Sequence, residues 1–260
     1  MRFCSLGSGS GGNALVVEAG SRAGTSRVLV DCGFTQREFG FRLARAGLAP
    51  ADLDAVFVTH EHGDHVGSAL ALARRHHLPV WMSRGTWRAV GGRSKLPSEL
   101  LNFARDGEAI AIGSLLLQPF TVPHDAHEPL QLTCSDGARR LGVLTDTGSA
   151  TAHLLAQLAG CDALMLECNH DRDMLARSRY PAALKARIGG AYGHLANDSA
   201  TDILAACAHA GLRHVVAAHL SRENNRPALA AQALALACGA SARDIVVADQ
   251  FSGFAWLSLD

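Results

Sequence analysis

The stretch Thr59-His60-Glu61-His62-Gly63-Asp64-His65 lies between a short apolar run and a segment with helical periodicity. The run at residues 53–58, LDAVFV, is apolar and partly β-branched, which predicts a buried strand. After the stretch, apolar residues recur at helical spacing from Val66 until the chain nears Pro79, which predicts a helix. The sequence therefore predicts a strand, a sharp loop and a helix, with the loop placed to carry functional side chains.

The loop concentrates side chains that bind metal ions. Residues two apart in extended backbone point the same way, so His60 and His62 are expected to bind one ion. Asp64 and His65 follow Gly63, whose missing side chain lets the backbone turn, and are expected to face a second ion. Asp64 is also a candidate N-cap for the next helix. These ligands suit zinc, manganese or iron without choosing among them, and the alternative is a polar turn with exposed histidines.

The motif HEHGDH (60–65) resembles the HxHxDH motif of the metallo-β-lactamase superfamily. The resemblance implies an α/β fold, a four-layer αββα sandwich in which two mixed β-sheets are flanked by helices and carry a metal site at their edges. It covers nearly the whole chain, because the motifs SGSGGN, VDCG, HEHGDH, PHDA, LTDTG, ECNHD, GHLAND and HLS occur in family order. Three of these motifs, SGSGGN, ECNHD and GHLAND, resemble motifs of the YycJ/WalJ-type branch, whose members are exonuclease-like hydrolases.

The resemblance also implies metal ligands further along the chain. His124 follows an apolar run and would join the first ion, although a single histidine is usually a core or surface residue. Asp146 precedes a glycine at a predicted strand end, where it would bridge both ions or, alternatively, only shape a turn. His219, in the motif HLS, would complete the second ion. The implied ligand set is His60, His62, Asp64, His65, His124, Asp146 and His219.

Length and composition predict one globular domain spanning residues 1–260. The chain has 48% hydrophobic and 18% charged residues, with 24 basic against 24 acidic side chains. This balance gives no overall basic field, so a nucleic-acid partner would need a local basic patch. Seven scattered cysteines without a CxxC motif predict buried thiols in a reducing compartment. We expect a cytoplasmic protein with no membrane partner, because neither a signal peptide nor a membrane span is evident.

Two further motifs lie near the predicted metal loop. The glycine-rich residues 7–13 follow a strand, but they lack the GK[ST] ending of a phosphate loop and precede a β-branched segment. We interpret them as a tight turn between strands, with Ser10 or Asn13 available to a substrate oxygen. Asp31 ends another predicted strand, and the resemblance implies that it orients the histidine loop, the alternative being a turn-forming aspartate.

Two ions bridged by Asp146 would hold a hydroxide between them, a nucleophile for ester, amide or thioester hydrolysis. The resemblance favours hydrolysis over redox chemistry, because flavodiiron relatives carry Glu where this chain has His62. Glu167 followed by His194 resembles the tRNA 3′-processing endonucleases, in which an acidic residue orients a histidine near the scissile phosphate. The predicted catalytic set is Asp64, His194, Glu167 and His170.

The expected function is a dinuclear-metal phosphodiesterase, exonuclease-like on DNA or acting on small phosphodiesters. Arg172, Arg177 and Arg179 are expected to meet phosphates, the alternative being a solvated charged loop beside a surface histidine. The interval from Asp146 to His219 is too short for the β-CASP insertion of related nucleases. The alternatives are a hydrolase of acyl or thioester bonds, of glyoxalase II or lactonase type, and a non-catalytic metal-binding regulatory module.

Overall fold

The computed structural model describes residues 1–21, 24–90 and 95–260 of the chain. Its strands are β1 (Arg2–Gly7), β2 (Ala14–Ser21), β3 (Gly24–Val30), β4 (Ala55–Phe57), β5 (Val80–Met82), β6 (Leu101–Phe103), β7 (Ile110–Ile112), β8 (Leu115–Thr121), β9 (Leu130–Ser135), β10 (Arg140–Leu144), β11 (Ala163–Glu167), β12 (His214–Ala218), β13 (Val246–Val247) and β14 (Phe254–Ser258). Its α-helices are α1 (Gln36–Arg45), α2 (Gly63–Val66), α3 (Ala69–His76), α4 (Arg84–Val90), α5 (Ala152–Leu158), α6 (Arg172–Arg177), α7 (Ala182–Ile188), α8 (Asn197–Cys207) and α9 (Pro227–Cys238). Arg93, expected with Arg84, Arg88 and Lys95 to form a solvated basic face, lies outside the described residues.

The strands form two sheets that face each other. The first has the order β14-β1-β2-β3-β4-β5-β6 and the second the order β13-β12-β11-β10-β9-β8-β7. Each sheet combines antiparallel pairs, such as β1 with β2 and β8 with β9, with parallel pairs, such as β3 with β4 and β10 with β11. The predicted pair of mixed sheets is therefore confirmed.

Three apolar cores hold the layers together. Side chains from both sheets, including Phe3 and Leu117, fill the space between them. A second core packs α1 and α3 against the outer face of the first sheet, with Phe39 fully buried. A third packs α5, α8 and α9 against the second sheet around Leu204. Each such buried side chain contributes about 1.5–3 kcal/mol, and the layering confirms the αββα sandwich.

The structure differs from the sequence predictions at two local points. The helix expected after the metal loop is two helices, α2 and α3, because Gly67 lies between them with φ 28°, at a place where an added Cβ would lie 2.5 Å from the Cys32 carbonyl oxygen. Asp64 is not the N-cap of α2, since His62 occupies that position. Strand β8 continues through Pro119, which lies beyond the residues of β8 that pair with β7. The missing N–H of Pro119 therefore removes no hydrogen bond between β8 and β7.

All seven cysteines are free and six are buried, as expected for thiols without a disulfide framework. Within the described ranges, no helix has the length and apolar character needed to cross a membrane.

Candidate metal centre

The predicted ligands come together at one edge of the two sheets. His60 follows β4, His124 follows β8, Asp146 follows β10 and His219 follows β12, while Glu167 is the last residue of β11. The strands that deliver the last three residues are parallel neighbours, so their carboxyl ends open on the same side. In open α/β sheets this edge is where ligands bind.

The first cluster consists of His60, His62 and His124. The centroids of the His60 and His62 rings lie 4.6 Å apart, and those of the His60 and His124 rings lie 4.9 Å apart. Nε2 of His124 is 3.3 Å from Nδ1 of His62. One nitrogen from each ring lies within 4.8 Å of the others, a spacing that could hold a metal ion.

The second cluster consists of Asp64, His65 and His219. Oδ2 of Asp64 lies 3.6 Å from Nε2 of His65 and 3.5 Å from Nε2 of His219. These three ligand atoms also lie within 4.8 Å of one another. Both histidine side chains are buried, whereas the Asp64 side chain is 22% exposed, so the carboxylate is the part of this cluster that borders open space.

Asp146 lies between the two clusters and is only 1% exposed. Its Oδ2 is 2.8 Å from Nε2 of His65 and 2.9 Å from Nδ1 of His219. The same carboxylate lies within 4.8 Å of ligand nitrogens of His60 and His124. A carboxylate in this position can contact ions in both clusters, as the sequence predicted for it.

Buried hydrogen bonds fix the orientation of the histidines. Oδ2 of Asp31 lies 2.7 Å from Nδ1 of His65, and both Asp31 oxygens accept hydrogen bonds from Thr59. The Thr59 hydroxyl lies 3.0 Å from Nδ1 of His60. Asp31 therefore buttresses the metal loop, the first of the two alternatives left open by the sequence. Such contacts select the tautomer that presents Nε2 to a metal.

Several features of the clusters fit a divalent cation. Nε2 of His60 is buried and has no hydrogen-bond partner among the described residues, which is costly unless an ion occupies that direction. Burial, reinforced by the neighbouring His65, lowers the pKa of His60 well below its usual value and keeps its lone pairs available. Nδ1 of His124 faces the Gly193 carbonyl at 2.9 Å, and Nδ1 of His219 faces the Thr145 carbonyl at 3.0 Å. The donor set is nitrogen and carboxylate oxygen, which suits zinc, manganese or iron.

The partly exposed His194 pairs with the buried Glu167 beside Asp146. Nδ1 of His194 lies 2.6 Å from Oε1 of Glu167 and 3.1 Å from Oδ1 of Asp146. Burial by itself lowers the pKa of His194, but the two carboxylates outweigh burial and raise this pKa to about 11. His194 is 24% exposed and lines a cavity of about 380 Å³ that also borders His62, Asp64 and His219. The structure thus brings His194 and Glu167 to the metal clusters, as predicted.

The structure does not bring His170 to this cavity. Its side chain is 1% exposed, is not part of the cavity lining and lies next to Gly189. Burial and the nearby Arg172 lower its pKa to about 4, which is typical of a neutral core histidine. The sequence placed His170 near the reacting group because it follows Glu167 by three positions, but the residue of this segment that lines the cavity is Asn169.

The arginines expected to meet phosphates are held elsewhere. Arg172 forms an ion pair with Asp198, and Arg177 pairs with Asp173, and neither lines the cavity. The cavity is bordered instead by Arg187, which pairs with Asp125 at 2.6 Å. Sequence analysis also missed Tyr180 at this cavity, because the segment between α6 and α7 carries no periodicity that marks it.

The glycine-rich loop lies against the metal loop. Nδ2 of Asn13 is 3.1 Å from Nε2 of His65 and 3.2 Å from the Asp64 carbonyl oxygen. Ser10 borders the cavity, as expected for a residue near a substrate. The backbone at Gly33 lies close to the metal loop, because a Cβ added to Gly33 would lie 1.9 Å from the Asp64 carbonyl oxygen. Gly63 was the glycine singled out from the sequence, but it has open space around it and begins a helix.

Comparisons with known proteins agree with this geometry. A sequence model described as "Beta-lactamase superfamily domain" matches residues 26–220. The chain is 33% identical over 231 residues to the exodeoxyribonuclease YycJ of Bacillus anthracis, covering 88% of this chain and 86% of that protein. It is 29% identical over 232 residues to the exodeoxyribonuclease WalJ of Streptococcus pneumoniae, covering 88% and 85%. Among solved structures, the metallo-beta-lactamase fold protein YhfI from Bacillus subtilis superposes with a TM-score of 0.72 at 16% identity, covering 99% of each chain.

These findings confirm the resemblance read from the motifs HEHGDH, SGSGGN, ECNHD and GHLAND. The prediction that the chain is an enzyme, a metal-dependent hydrolase, is likewise confirmed. The fold likeness rests on structures of low sequence identity, whereas the family match spans most of the chain. The chain therefore belongs to the beta-lactamase superfamily.

Proposed function

We propose that this chain is a dinuclear-metal phosphodiesterase that shortens DNA from an end or cleaves small phosphodiesters. The observation that carries the proposal is the position of Asp146. It lies between two ligand clusters and also contacts His194, which lines the cavity of about 380 Å³. The similarity to two exodeoxyribonucleases supports DNA as the substrate. We further propose that residues 1–260 form one domain, because side chains of both sheets share a core, and that it acts in the cytoplasm.

In this proposal the ion sites follow the two clusters. The first ion would be held by His60, His62 and His124 and the second by Asp64, His65 and His219, with Asp146 available to both. Two bound divalent ions, zinc or manganese with iron as a further option, would activate a water as the nucleophile and stabilise the attacking and leaving oxygens. The protein would contribute imidazoles whose orientation is fixed by hydrogen bonds, with Asp31 holding His65 and Thr59 holding His60.

His194 supplies a proton at the leaving oxygen. Its Nδ1 is held by Glu167, so Nε2 is the nitrogen left to face the cavity. The nearby carboxylates raise the pKa of His194 and so favour the protonated ring, which is the form that can donate to a leaving alkoxide. Proton transfer of this kind contributes about 10²–10⁴-fold to the rate. Arg187 borders the same cavity, where its guanidinium is paired with Asp125.

The test uses end-labelled single- and double-stranded DNA with wild type and His194→Ala, in manganese and then in zinc. Wild type is expected to shorten linear DNA stepwise and to leave closed circular DNA of the same length intact. The variant is expected to lose this activity while retaining its bound metal, measured by elemental analysis. His153→Ala is a matched control, because His153 is exposed and pairs with Asp106, away from the metal clusters.

Two results would overturn the proposal. One is inactivity of the metal-loaded protein on linear DNA and on an aryl phosphodiester in both metals. The other is turnover of a thioester or lactone that is unaffected by His194→Ala, which would favour an acyl hydrolase. Cleavage of circular DNA would retain the phosphodiesterase and reject the exonuclease.

A further inference from the structure

We call the cavity of about 380 Å³ that is bordered by His62, Asp64, His194 and His219 the metal cavity. A second cavity, of about 330 Å³, lies directly beside it. We name it the arginine groove and define it by Ser221, Arg222, Arg226, Asp249 and Gln250. Ser221 lines both the arginine groove and the metal cavity, so the two spaces share a wall.

The glycine-rich loop forms the rest of the boundary between these spaces. Ser8 borders the arginine groove and Ser10 borders the metal cavity. The side chain of Gln250 accepts a hydrogen bond from the Gly11 N–H at 2.7 Å and donates to the Gly12 carbonyl. An added Cβ on Gly9 would lie 2.6 Å from the Gln250 side chain. The loop is therefore a low ridge without bulky side chains, over which an extended chain can pass.

The groove carries two guanidinium groups that no carboxylate neutralises. Arg222 and Arg226 are exposed, and neither forms an ion pair with any residue in the described ranges. The Arg226 guanidinium donates to the carbonyl of the adjoining Asn225 at 2.9 Å. Arg172 and Arg177, in contrast, are each held by an aspartate. Free guanidinium groups are suited to bind phosphate through paired hydrogen bonds.

The acidic residues nearby do not cancel this charge. Asp249 lines the groove, but its Oδ1 already accepts hydrogen bonds from the backbone N–H groups of Phe251 and Ser252 and from the Ser252 hydroxyl. Glu223 borders a different depression, shared with residues of α6. The groove itself therefore presents two cations against one hydrogen-bonded carboxylate.

Two neighbouring features also suit a nucleotide chain. The side chain of Phe251 is 58% exposed, and Cζ of Arg222 lies 5.2 Å from the centroid of its ring. An exposed ring beside an arginine offers a surface on which a base can stack. Helix α9 begins at Pro227, on the groove wall, and its N-cap makes no side-chain hydrogen bond. The positive end of a 12-residue helix thus adds to the attraction for an anion.

From these contacts we infer that the arginine groove binds the sugar-phosphate backbone of the nucleotides adjoining the one held in the metal cavity. This inference rests on the proposed phosphodiesterase function and names its substrate as a nucleic-acid strand of several nucleotides. Arg222 and Arg226 contact successive phosphates, Phe251 supports a base, and Ser221 lies where the strand passes from one cavity to the other. A small phosphodiester would occupy the metal cavity alone.

The test compares the double variant Arg222→Ala/Arg226→Ala with the control Arg75→Ala/Arg243→Ala. The control removes the same charge from two exposed residues that precede β5 and β13, at the opposite edge of the sheets. For the groove variant we expect KM for an oligonucleotide to rise by at least about tenfold, because charge-assisted hydrogen bonds are lost. Hydrolysis of an aryl phosphodiester should be unchanged in both proteins. The salt dependence of binding should also weaken, by about 0.7 in log–log slope per lost contact on a single strand.

Direct binding separates this inference from the proposed function. A fluorescent phosphorothioate oligonucleotide, which resists hydrolysis, is titrated with each protein and its anisotropy is followed. Weaker binding by the groove variant alone supports the groove even if DNA turnover is too slow to measure. Equal oligonucleotide affinity and equal KM in the groove variant, the control and wild type would overturn the inferred role of the arginine groove. The proposed phosphodiesterase activity would be unaffected by that result. Inactive wild type that still binds through the two arginines would reject the proposed function and retain the groove.

Discussion

Nδ1 of His194 lies 2.6 Å from Oε1 of Glu167, although the two residues are 27 positions apart in the chain. Glu167 ends strand β11, and its other oxygen accepts hydrogen bonds from the backbone of Thr147 and Leu195. These backbone hydrogen bonds therefore hold the Glu167 carboxylate in place independently of its contact with the His194 imidazole. This arrangement makes Glu167 a positioning residue whose effect on the reaction passes through His194.

The substitution Glu167→Gln tests that role. It keeps the size of the side chain but removes the charge that favours the protonated imidazole, so we expect kcat to fall by about 10–100-fold with little change in KM. The pH profile of kcat should shift as well, which a purely structural role would not produce. Unchanged kcat, with a melting temperature equal to wild type, would contradict the positioning role.

Metal removal should lower stability. Without ions the buried His60 Nε2 lacks a hydrogen-bond partner among the described residues, so chelation is expected to reduce the melting temperature. The binding contribution is about 4 kcal/mol when free metal is at about a thousand times its Kd. Differential scanning calorimetry before and after chelation, and after adding metal back, measures this change. A melting temperature that stays constant while bound metal falls to zero would count against a structurally coupled centre.

The substitution Asp31→Asn should weaken metal binding, although Asp31 is not itself a proposed ligand. Asp31 holds Nδ1 of His65 and two hydrogen-bond donors of Thr59, and loss of such a partner typically costs about 10–100-fold in metal affinity. Competition with a chromogenic chelator gives the affinity. Asp54→Asn is the control, since its carboxylate accepts only a surface backbone hydrogen bond from Arg27. Equal metal affinity in the Asp31 variant and wild type would show that the buttress is dispensable.

The glycines near the metal loop provide a matched pair. In Gly33→Ala the new Cβ would lie 1.9 Å from the Asp64 carbonyl oxygen, so the metal loop must move. Overpacking of this kind costs about 1–3 kcal/mol, and we expect lower metal content as well. In Gly63→Ala the Cβ meets no atom within 4 Å, so stability should hold or improve. Equal denaturation midpoints and metal contents for the two variants would contradict this assignment.

Acid sensitivity should depend on Glu18, which lies between Arg2 on β1 and Arg27 on β3. Burial by itself raises the pKa of Glu18, but hydrogen bonds and attraction from the two arginines outweigh burial and lower it. A lowered folded-state pKa means that the stabilisation is present above the unfolded value of about 4.3 and is lost as the pH falls through the folded value. Glu18→Gln should therefore reduce stability at neutral pH and flatten its decline in acid, as measured by urea denaturation. A parallel decline in both proteins would exclude this contribution.

Much of the centre could be predicted from local sequence. His60, His62, Asp64 and His65 lie within six positions at a strand end, so the backbone alone keeps them together. The downstream ligands were identifiable because each follows an apolar run in an order that resembles a known family. Local pattern was less informative where several backbones meet: it drew attention to Gly63, whereas the close backbone contact is at Gly33.

By itself, the sequence determined many of the strands and helices and the metal loop, because strand and helix periodicity and ligand spacing are properties of short segments. The αββα layering and the class of chemistry were implied by the resemblance of its motifs to the metallo-β-lactamase superfamily. Only the tertiary structure decided which distant groups share one space. It placed Asp146 between two clusters, removed His170 from the cavity and paired Arg172 with Asp198. It also left Arg222 and Arg226 beside the centre without an ion pair to any residue that the structure describes. Those outcomes depend on the order and direction of strands in two sheets, which a local pattern does not contain.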